Sequence, residues 1–454
     1  MRPRVLWVLL VFFGIWSRPA AADNRFIVRV PDGLTAVQQV CLTLGCTVSG
    51  GIDGDLGRVF LVTTSDLANP QAFLQTLISQ PAITNAEFDS LLKVMQIATT
   101  QVAGSAPPSG TVQTAGAPQS AGTAPPSGLS DTTAINYFGV TVIDGYVNQP
   151  ANTIIRISDT QTAYNVTGAG TVAVIDTGVD PTHPALQGVL VPGYDFTRNI
   201  SGSGSELTDV NQSSIGSGAS PVMVNQESAA ILDQQSASNL RQPQYEAFGH
   251  GTMVSGIIHL VAPTALIMPL KAFKADGTGY LSDVLRAIYF AAQNGARVIN
   301  MSFSISTYSS EMANAVKFAD HHQVICVASA GNDGRDEAVY PAALADVMAI
   351  ASTTNNDTLS SFSNYGEDLV WVGAPGEGIV TTYPFGTYGA GWGTSFSAPF
   401  VSGAAALLLS TNMKFREPSA AGALAHAVWI SDDLGNGRVD LYQALNAALN
   451  HPPD

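Results

Sequence analysis

Cysteine is scarce in this chain: Cys41, Cys46 and Cys326 are all that 454 residues contain. Three thiols cannot build the disulfide framework that holds small secreted domains together, so the fold must rest on buried apolar surface. Cys41 and Cys46 lie close enough to pair after export, whereas Cys326 sits in the apolar run Val324–Ala328 and reads as a small buried hydrophobe. Basic residues are also few. Nineteen Lys and Arg stand against 35 Asp and Glu, a formal charge of -16, so the electrostatic footprint for DNA, RNA or anionic lipid is missing and no nucleic-acid partner is expected. The N-terminal apolar run, Val5 to Trp16, falls short of the roughly 20 residues that span a bilayer.

That run follows Arg2 and Arg4 and ends in Ala20-Ala21-Ala22, the three-part layout of a secretory signal peptide, with cleavage expected near Ala22. Residues 1–22 would then be lost, no membrane anchor would remain, and the product is expected outside the cytoplasm, extracellular or periplasmic. The 46% of hydrophobic residues can bury one large core and leave material for a smaller domain beside it.

Residues 23–97 read as a small α+β module. Strands are expected at Phe26–Val30 and Gly57–Val62, helices at Leu34–Leu44 and Gln71–Ile78, and a closing stretch runs from Ala82 to Val94. Residues 98–130 are almost entirely Gly, Ser, Thr, Ala, Pro and Gln, and Ala106-Pro107-Pro108-Ser109-Gly110 is echoed by Ala124-Pro125-Pro126-Ser127-Gly128. Such a segment buries too little apolar surface to fold and reads as a flexible linker. From residue 131 to 454, β-branched runs alternate with helix-patterned stretches, with strands at Thr171–Ile175, Ala265–Phe273, Ala296–Met301, Val324–Ala328 and Val347–Ala351. The alternation predicts an α/β fold with a mostly parallel β-sheet flanked by helices on both faces and functional residues at strand ends. Residues 201–244, rich in Ser, Gly, Asn and Gln and without periodicity, read as a surface insertion.

Four motifs carry chemistry. In Val172-Ala173-Val174-Ile175-Asp176-Thr177-Gly178 an apolar strand delivers a carboxylate that can orient a histidine, although alone it is equally a strand-ending turn. Phe248-Gly249-His250-Gly251-Thr252 crowds glycines around one histidine, which permits the close backbone approach a general base needs. Ala330-Gly331-Asn332-Asp333 places a side-chain amide after a buried strand, where it can donate to an oxyanion. Trp392-Gly393-Thr394-Ser395-Phe396-Ser397-Ala398-Pro399 runs into an apolar helix, and Pro399 is expected in its first turn, with Ser395 at the N-terminus. That position aims backbone N–H groups and the positive helix end at an oxyanion formed on attack by Ser395 Oγ, while a plain helix cap would also explain a serine there.

Taken in order, Asp176, His250, Asn332 and Ser395 resemble the subtilisin-like serine proteases, over roughly Asn148 to Asn446. The resemblance implies a secreted serine endopeptidase that cleaves protein or peptide substrates through an acyl-enzyme. Asp176, His250 and Ser395 would be its catalytic triad and Asn332 its oxyanion donor. It further implies that Gly277, Thr278 and Gly279 pair with substrate backbone and that Ser302, Phe303 and Ser304 form the strand opposite. Gly373-Ala374-Pro375-Gly376 and Gly437-Arg438-Val439-Asp440 resemble structural segments of the family. Residues 23–97 then become an inhibitory, fold-assisting propeptide, an intramolecular inhibitor released by cleavage in the linker, and the product a monomer. Two rivals stand against this. One is a catalytically silent binding protein on the same fold, and the other an α/β-hydrolase, which requires Gly-x-Ser-x-Gly and a Ser, Asp, His order.

The sequence departs from the family in three places. The insertion lengthens the interval between Asp176 and His250. The stretch Ile257–Pro263 has no room for the calcium loop of many relatives and offers no carboxylate, so no metal site is carried over there. No cofactor is expected to be required, and calcium elsewhere stays open. Ser304 stands where the family commonly has glycine beside the specificity pocket, and Asn332–Tyr340 is short and charged.

Overall fold

The computed structural model describes residues 24–65, 69–94, 127–210, 221–222, 229–231, 233–234 and 243–453. The expected signal peptide, the linker up to residue 126 and much of the 201–244 insertion lie outside the described residues. Two compact units are present, one of residues up to Gly51 with Arg58–Phe88, the other of Ile52–Gly57 with Asp89–Asp454.

The first unit is a four-stranded antiparallel sheet in the order Thr47–Gly51, Val59–Thr64, Asn24–Arg29, Asn85–Phe88, with helices Leu34–Leu44 and Pro70–Ile78. Period-2 residues Phe26, Val28, Phe60 and Val62 meet Val37, Val40, Leu74 and Leu77 of the helices in one apolar core. Asn69 starts the second helix by accepting from Ala72 N, with Pro70 in the first turn. Cys41 and Cys46 are joined as a disulfide at the end of the first helix.

Two expected boundaries move. The first unit ends at Phe88 rather than near residue 97, because Leu91–Lys93 pairs with Thr278–Tyr280 of the second unit. The linker does not reach residue 130: Ser127–Ser130 is a helical turn whose Leu129 is fully buried in the large core.

The second unit is built on an eight-stranded sheet. Its order is Ile200–Ser201, Tyr194–Asp195, Leu266–Lys271, Thr171–Asp176, Val298–Met301, Ile325–Ser329, Val347–Thr353, Val372–Pro375. All pairs are parallel except that of the two-residue edge strand Ile200–Ser201. Chain order reverses at Thr171–Asp176, which has Leu266–Lys271 on one side and Val298–Met301 on the other. In open α/β sheets, ligands bind outside the carboxyl ends of the strands at such a reversal, and Asp176 is the last residue of this strand.

Strand side chains alternate between faces. Val172, Val174, Val298, Ile325, Val327, Met348 and Ile350 join helices His250–Val261 and Thr394–Thr411 in one core. Helices Leu281–Gln293 and Ser310–His321 pack on each other and on the sheet. Thr394–Thr411 is long and apolar enough to cross a membrane, yet it lies buried in the domain, as an all-round apolar helix must. Its Gly403 permits contact with the His250 helix, since a Cβ there would come within 2.6 Å of Val261 Cβ.

His259, on the buried side of the His250 helix, packs edge-on to Tyr137, and neither of its ring nitrogens has a hydrogen-bond partner. Burial, with His183 nearby, pushes its pKa down to about 4 from 6.5. Between these values the unfolded chain binds the proton and the folded chain does not. Stability is therefore present above pH 6.5 and is lost as the pH falls toward 4. His259→Leu should remove that loss, gaining on the wild type by up to about 3 kcal/mol between pH 7 and pH 4 in urea unfolding. Parallel pH profiles for the two proteins would contradict this account.

Candidate active site

Asp176 ends its strand fully inside the protein. Its Oδ1 accepts from Thr177 N at 2.7 Å, and His250 Nδ1 lies 2.8 Å and 2.9 Å from its two oxygens. His250 opens the helix His250–Val261, and Gly249 before it has a left-handed φ of 92°. The glycine after it is required by distance, because a Cβ on Gly251 would lie 2.0 Å from Gly178 O, in the turn that follows Asp176. Helix start and strand end thus touch backbone to backbone, which is what the flanking glycines anticipate. His250 is only 1% exposed, and its Nε2 has no partner. A buried imidazole nitrogen left unsatisfied calls for an explanation, and unlike His259 this ring also forms a close pair with a carboxylate.

Ser395 is the second residue of helix Thr394–Thr411, and Phe396 beside it packs 5.6 Å from the His250 ring, centroid to centroid. Ser395 Oγ donates to Ser302 O at 3.2 Å rather than to His250. Pro399 is not in the first turn as expected but inside the helix. It therefore lacks the N–H that would bond the carbonyl four residues back, that of Ser395. The vacancy in the ladder is filled from the sheet: Ser302 Oγ donates to Ser395 O at 2.9 Å. Asn300 holds Ser302 in turn, with Nδ2 donating to Ser302 Oγ at 2.9 Å while Oδ1 accepts from Ser402 Oγ at 2.8 Å.

Asn332 leaves the strand Ile325–Ser329 through Gly331, whose φ is 99°. Its Oδ1 accepts from Thr394 N at 2.8 Å and Thr394 Oγ1 at 2.9 Å, which ties it to the residue before Ser395 and leaves Nδ2 as a donor. Asn364, which no sequence pattern singles out, clamps this loop. Its N–H donates to Gly331 O at 2.9 Å, and its Oδ1 accepts from Asp333 N at 2.9 Å.

The sequence model of the subtilase family, Peptidase S8, matches residues 168–444. The chain belongs to the subtilase family. It is 34% identical over 285 residues to the thermophilic serine proteinase of Bacillus sp. strain AK1, covering 61% of each chain. Thermitase of Thermoactinomyces vulgaris is 35% identical over 249 residues, which cover 53% of this chain and 74% of thermitase. Subtilisin BL of Lederbergia lenta is 39% identical over 173 residues, which cover 36% of this chain and 64% of that protein. The chain thus spans somewhat under two thirds of several relatives. Among solved structures, fervidolysin from Fervidobacterium pennivorans, described as a keratinolytic enzyme related to subtilisin, shares the fold with a TM-score of 0.65 at 21% identity, over 94% of this chain and 61% of fervidolysin.

In this subtilase the segment expected to pair with peptide backbone has a partner from its own chain. Leu91–Lys93 runs antiparallel to Thr278–Tyr280, and Val94 N donates to Gly277 O at 2.8 Å. Leu92 and Val94 are buried and Leu91 is exposed, the period of a strand seated on a surface. Gly279 lets the Thr278–Tyr280 strand lie close on the chain before it, since a Cβ there would stand 2.3 Å from Ala272 O. On the opposite side the ladder ends at Met301, so Ser302–Ser304 lies beyond the regular strand. The Ser302 and Phe303 side chains are buried, the one under Ser395 and the other against Phe273 at 5.1 Å, and Ser304 is half-buried.

The start of the insertion is only partly a surface segment: Ser201 and Gly202 are exposed, whereas Gly204, Glu206 and Val210 are buried. Glu206 is fully buried, and its carboxyl accepts from Gly249 N at 2.7 Å, from Thr177 Oγ1 at 3.2 Å and from Thr252 Oγ1. Burial pushes its pKa up to about 8 against the pull of these donors. A carboxyl in a Ser/Gly-rich run carries no periodic signal of burial.

The bond from Ser302 Oγ to Ser395 O exists because Pro399 gives none. Ser302→Ala should therefore destabilise the protein by about 1–3 kcal/mol, the cost of a buried acceptor left unmade. In the Pro399→Ala background the helix regains its own donor, so the same change should cost markedly less in a double-mutant cycle by denaturant unfolding. Equal costs in the two backgrounds would refute the link.

Proposed function

We propose that this subtilase is a secreted serine endopeptidase acting by acyl transfer. The observation that carries the reading is the Asp176–His250 pair, with Nδ1 held by the carboxylate and Nε2 left without a partner beside the Ser395 helix. His250 takes the proton of Ser395 Oγ as it attacks a peptide carbonyl and later returns it to the leaving amine. Asp176 fixes the tautomer and stabilises the imidazolium. Asn332 Nδ2 and the Ser395 N–H at the helix N-terminus hold the tetrahedral oxyanion. Water then hydrolyses the acyl-enzyme. For the transfer Ser395 Oγ has to turn from Ser302 O toward His250 Nε2, in keeping with the looseness of such bonds in free enzymes.

Substrate binds extended as an added strand on Gly277–Tyr280, where Leu91–Lys93 now lies. The occupied edge supports a precursor that keeps itself inactive, with residues 23–97 as propeptide and release by cleavage beyond Val94. The burial of Leu92 and Val94 there supports a preference for peptides with two apolar residues separated by one residue. The Arg-rich start, apolar run and Ala20-Ala21-Ala22 support export, and nothing in the proposed chemistry calls for a cofactor.

Ser395→Ala should abolish casein hydrolysis, and Asn332→Ala should lower kcat by about 10²–10³ with little change in KM. Casein cleavage by Ser395→Ala at the wild-type rate would sink the peptidase reading. N-terminal sequencing of active secreted protein should give a start between about Ala98 and Asn148, and a start near Asp23 would remove the inhibitory role of the first unit.

A further inference from the structure

Glu206 comes from the chain between the two members of the Asp176–His250 pair and reaches both. Thr177, which donates to it, directly follows Asp176, while Gly249 and Thr252, the other two donors, flank His250. The same atoms are stitched further: Gly251 N donates to Thr177 Oγ1 at 3.0 Å, and Asp180 N donates to Thr252 Oγ1 at 2.8 Å. The turn carrying Glu206 is held in place by backbone, with Val179 N donating to Gly204 O at 2.8 Å and Ser205 Oγ accepting from Leu207 N at 3.2 Å. Gly178 leaves room for it, since a Cβ there would stand 2.5 Å from Gly204 O and 2.8 Å from Glu206 N. From the other side buried Lys271 donates Nζ to Thr177 O at 2.7 Å.

We infer that Glu206 is a positioning residue for the reaction proposed above, a single carboxyl that sets the separation between the end of the Asp176 strand and the start of the His250 helix. The inference rests on the reading of Asp176, His250 and Ser395 as the reacting groups. The His250–Asp176 hydrogen bond crosses between the two elements that Glu206 joins, so the aim of Nε2 depends on that separation. A carboxyl group suits the place because its two oxygens together accept from all three donors. The segment between the two catalytic residues thereby becomes part of the catalytic frame.

The test compares Glu206→Ala and Glu206→Gln, each made as the full chain, on an internally quenched peptide. Active sites are counted by fluorophosphonate titration so that unfolded protein drops out. Glu206→Ala should lower kcat per titrated site about tenfold or more with KM within about twofold, as misplacement by fractions of an ångström does. Glu206→Gln, which keeps volume and one acceptor oxygen, should recover to within about threefold of the wild type. A structural role alone would reduce the yield of titratable sites and leave kcat per site unchanged, and that result overturns the inference. If Glu206→Ala gives no folded protein, Thr177→Val decides. It removes one arm of the clamp and should lower kcat at constant KM, so a wild-type kcat there overturns the inference equally. Ser395→Ala in parallel separates the two levels. Activity surviving in it defeats the triad itself, whereas an inactive Ser395→Ala with wild-type kcat in the clamp variants removes only the role of Glu206.

Discussion

The hydrogen bond from His250 Nδ1 to Asp176 is the contact on which the rest of the site depends. It joins the carboxyl end of one parallel strand to the first residue of one helix, and both groups are excluded from water. In such surroundings the pair is held by geometry and not by solvent, which strengthens the field that Asp176 applies to the imidazole. The geometry is in turn a matter of missing atoms: any side chain at Gly251 would collide with the carbonyl of Gly178 and drive the two elements apart. The sheet supplies the other half of the constraint. Asp176 ends the strand at which chain order reverses, and Ser302 and Asn332 lie beyond the carboxyl ends of Val298–Met301 and Ile325–Ser329, so the groups assigned to chemistry gather at one edge.

Ser395, the proposed nucleophile, is placed by a compensated defect. A proline inside an apolar helix opens its hydrogen-bond ladder at one carbonyl, and that carbonyl belongs to Ser395. Ser302 closes the gap from the neighbouring sheet, with Asn300 and Ser402 behind it. The arrangement binds the helix start to the sheet at the residue where orientation matters most. Asn332 does the same one residue earlier, through Thr394. Few freedoms are left to Ser395 except the rotation of its own hydroxyl.

Much of this was legible in the sequence, for reasons that differ by element. The central strands announce themselves because a sheet covered on both faces needs unbroken apolar runs, as in Val172–Ile175 and Val324–Ala328. The motif around His250 is legible because glycine on both sides of a histidine has few other uses. Pro399 misleads, since a proline near a helix start is ordinarily in the first turn, and only the tertiary donor Ser302 explains its place further in. Leu91–Lys93 was hidden for a related reason: three residues without a flanking pattern become a strand only when an edge is offered to them. Glu206 and Asn364 were invisible because hydrogen-bond partners from distant parts of the chain, not local periodicity, bury them. Sequence pattern thus reports the groups proposed to meet substrate and the layers beneath them, while the buried polar residues that hydrogen-bond around those groups emerge from the fold.

The central claim is that the buried Asp176–His250 pair activates Ser395. The most direct measurement is the second-order rate of fluorophosphonate labelling, with the modified residue located by peptide mass mapping, in the wild type and in Asp176→Asn. The account predicts label on Ser395, and a rate that falls about 10²–10⁴-fold when the carboxylate becomes an amide and the imidazole is held in the wrong tautomer. Labelling of Asp176→Asn at the wild-type rate, or label on a residue other than Ser395, would contradict it.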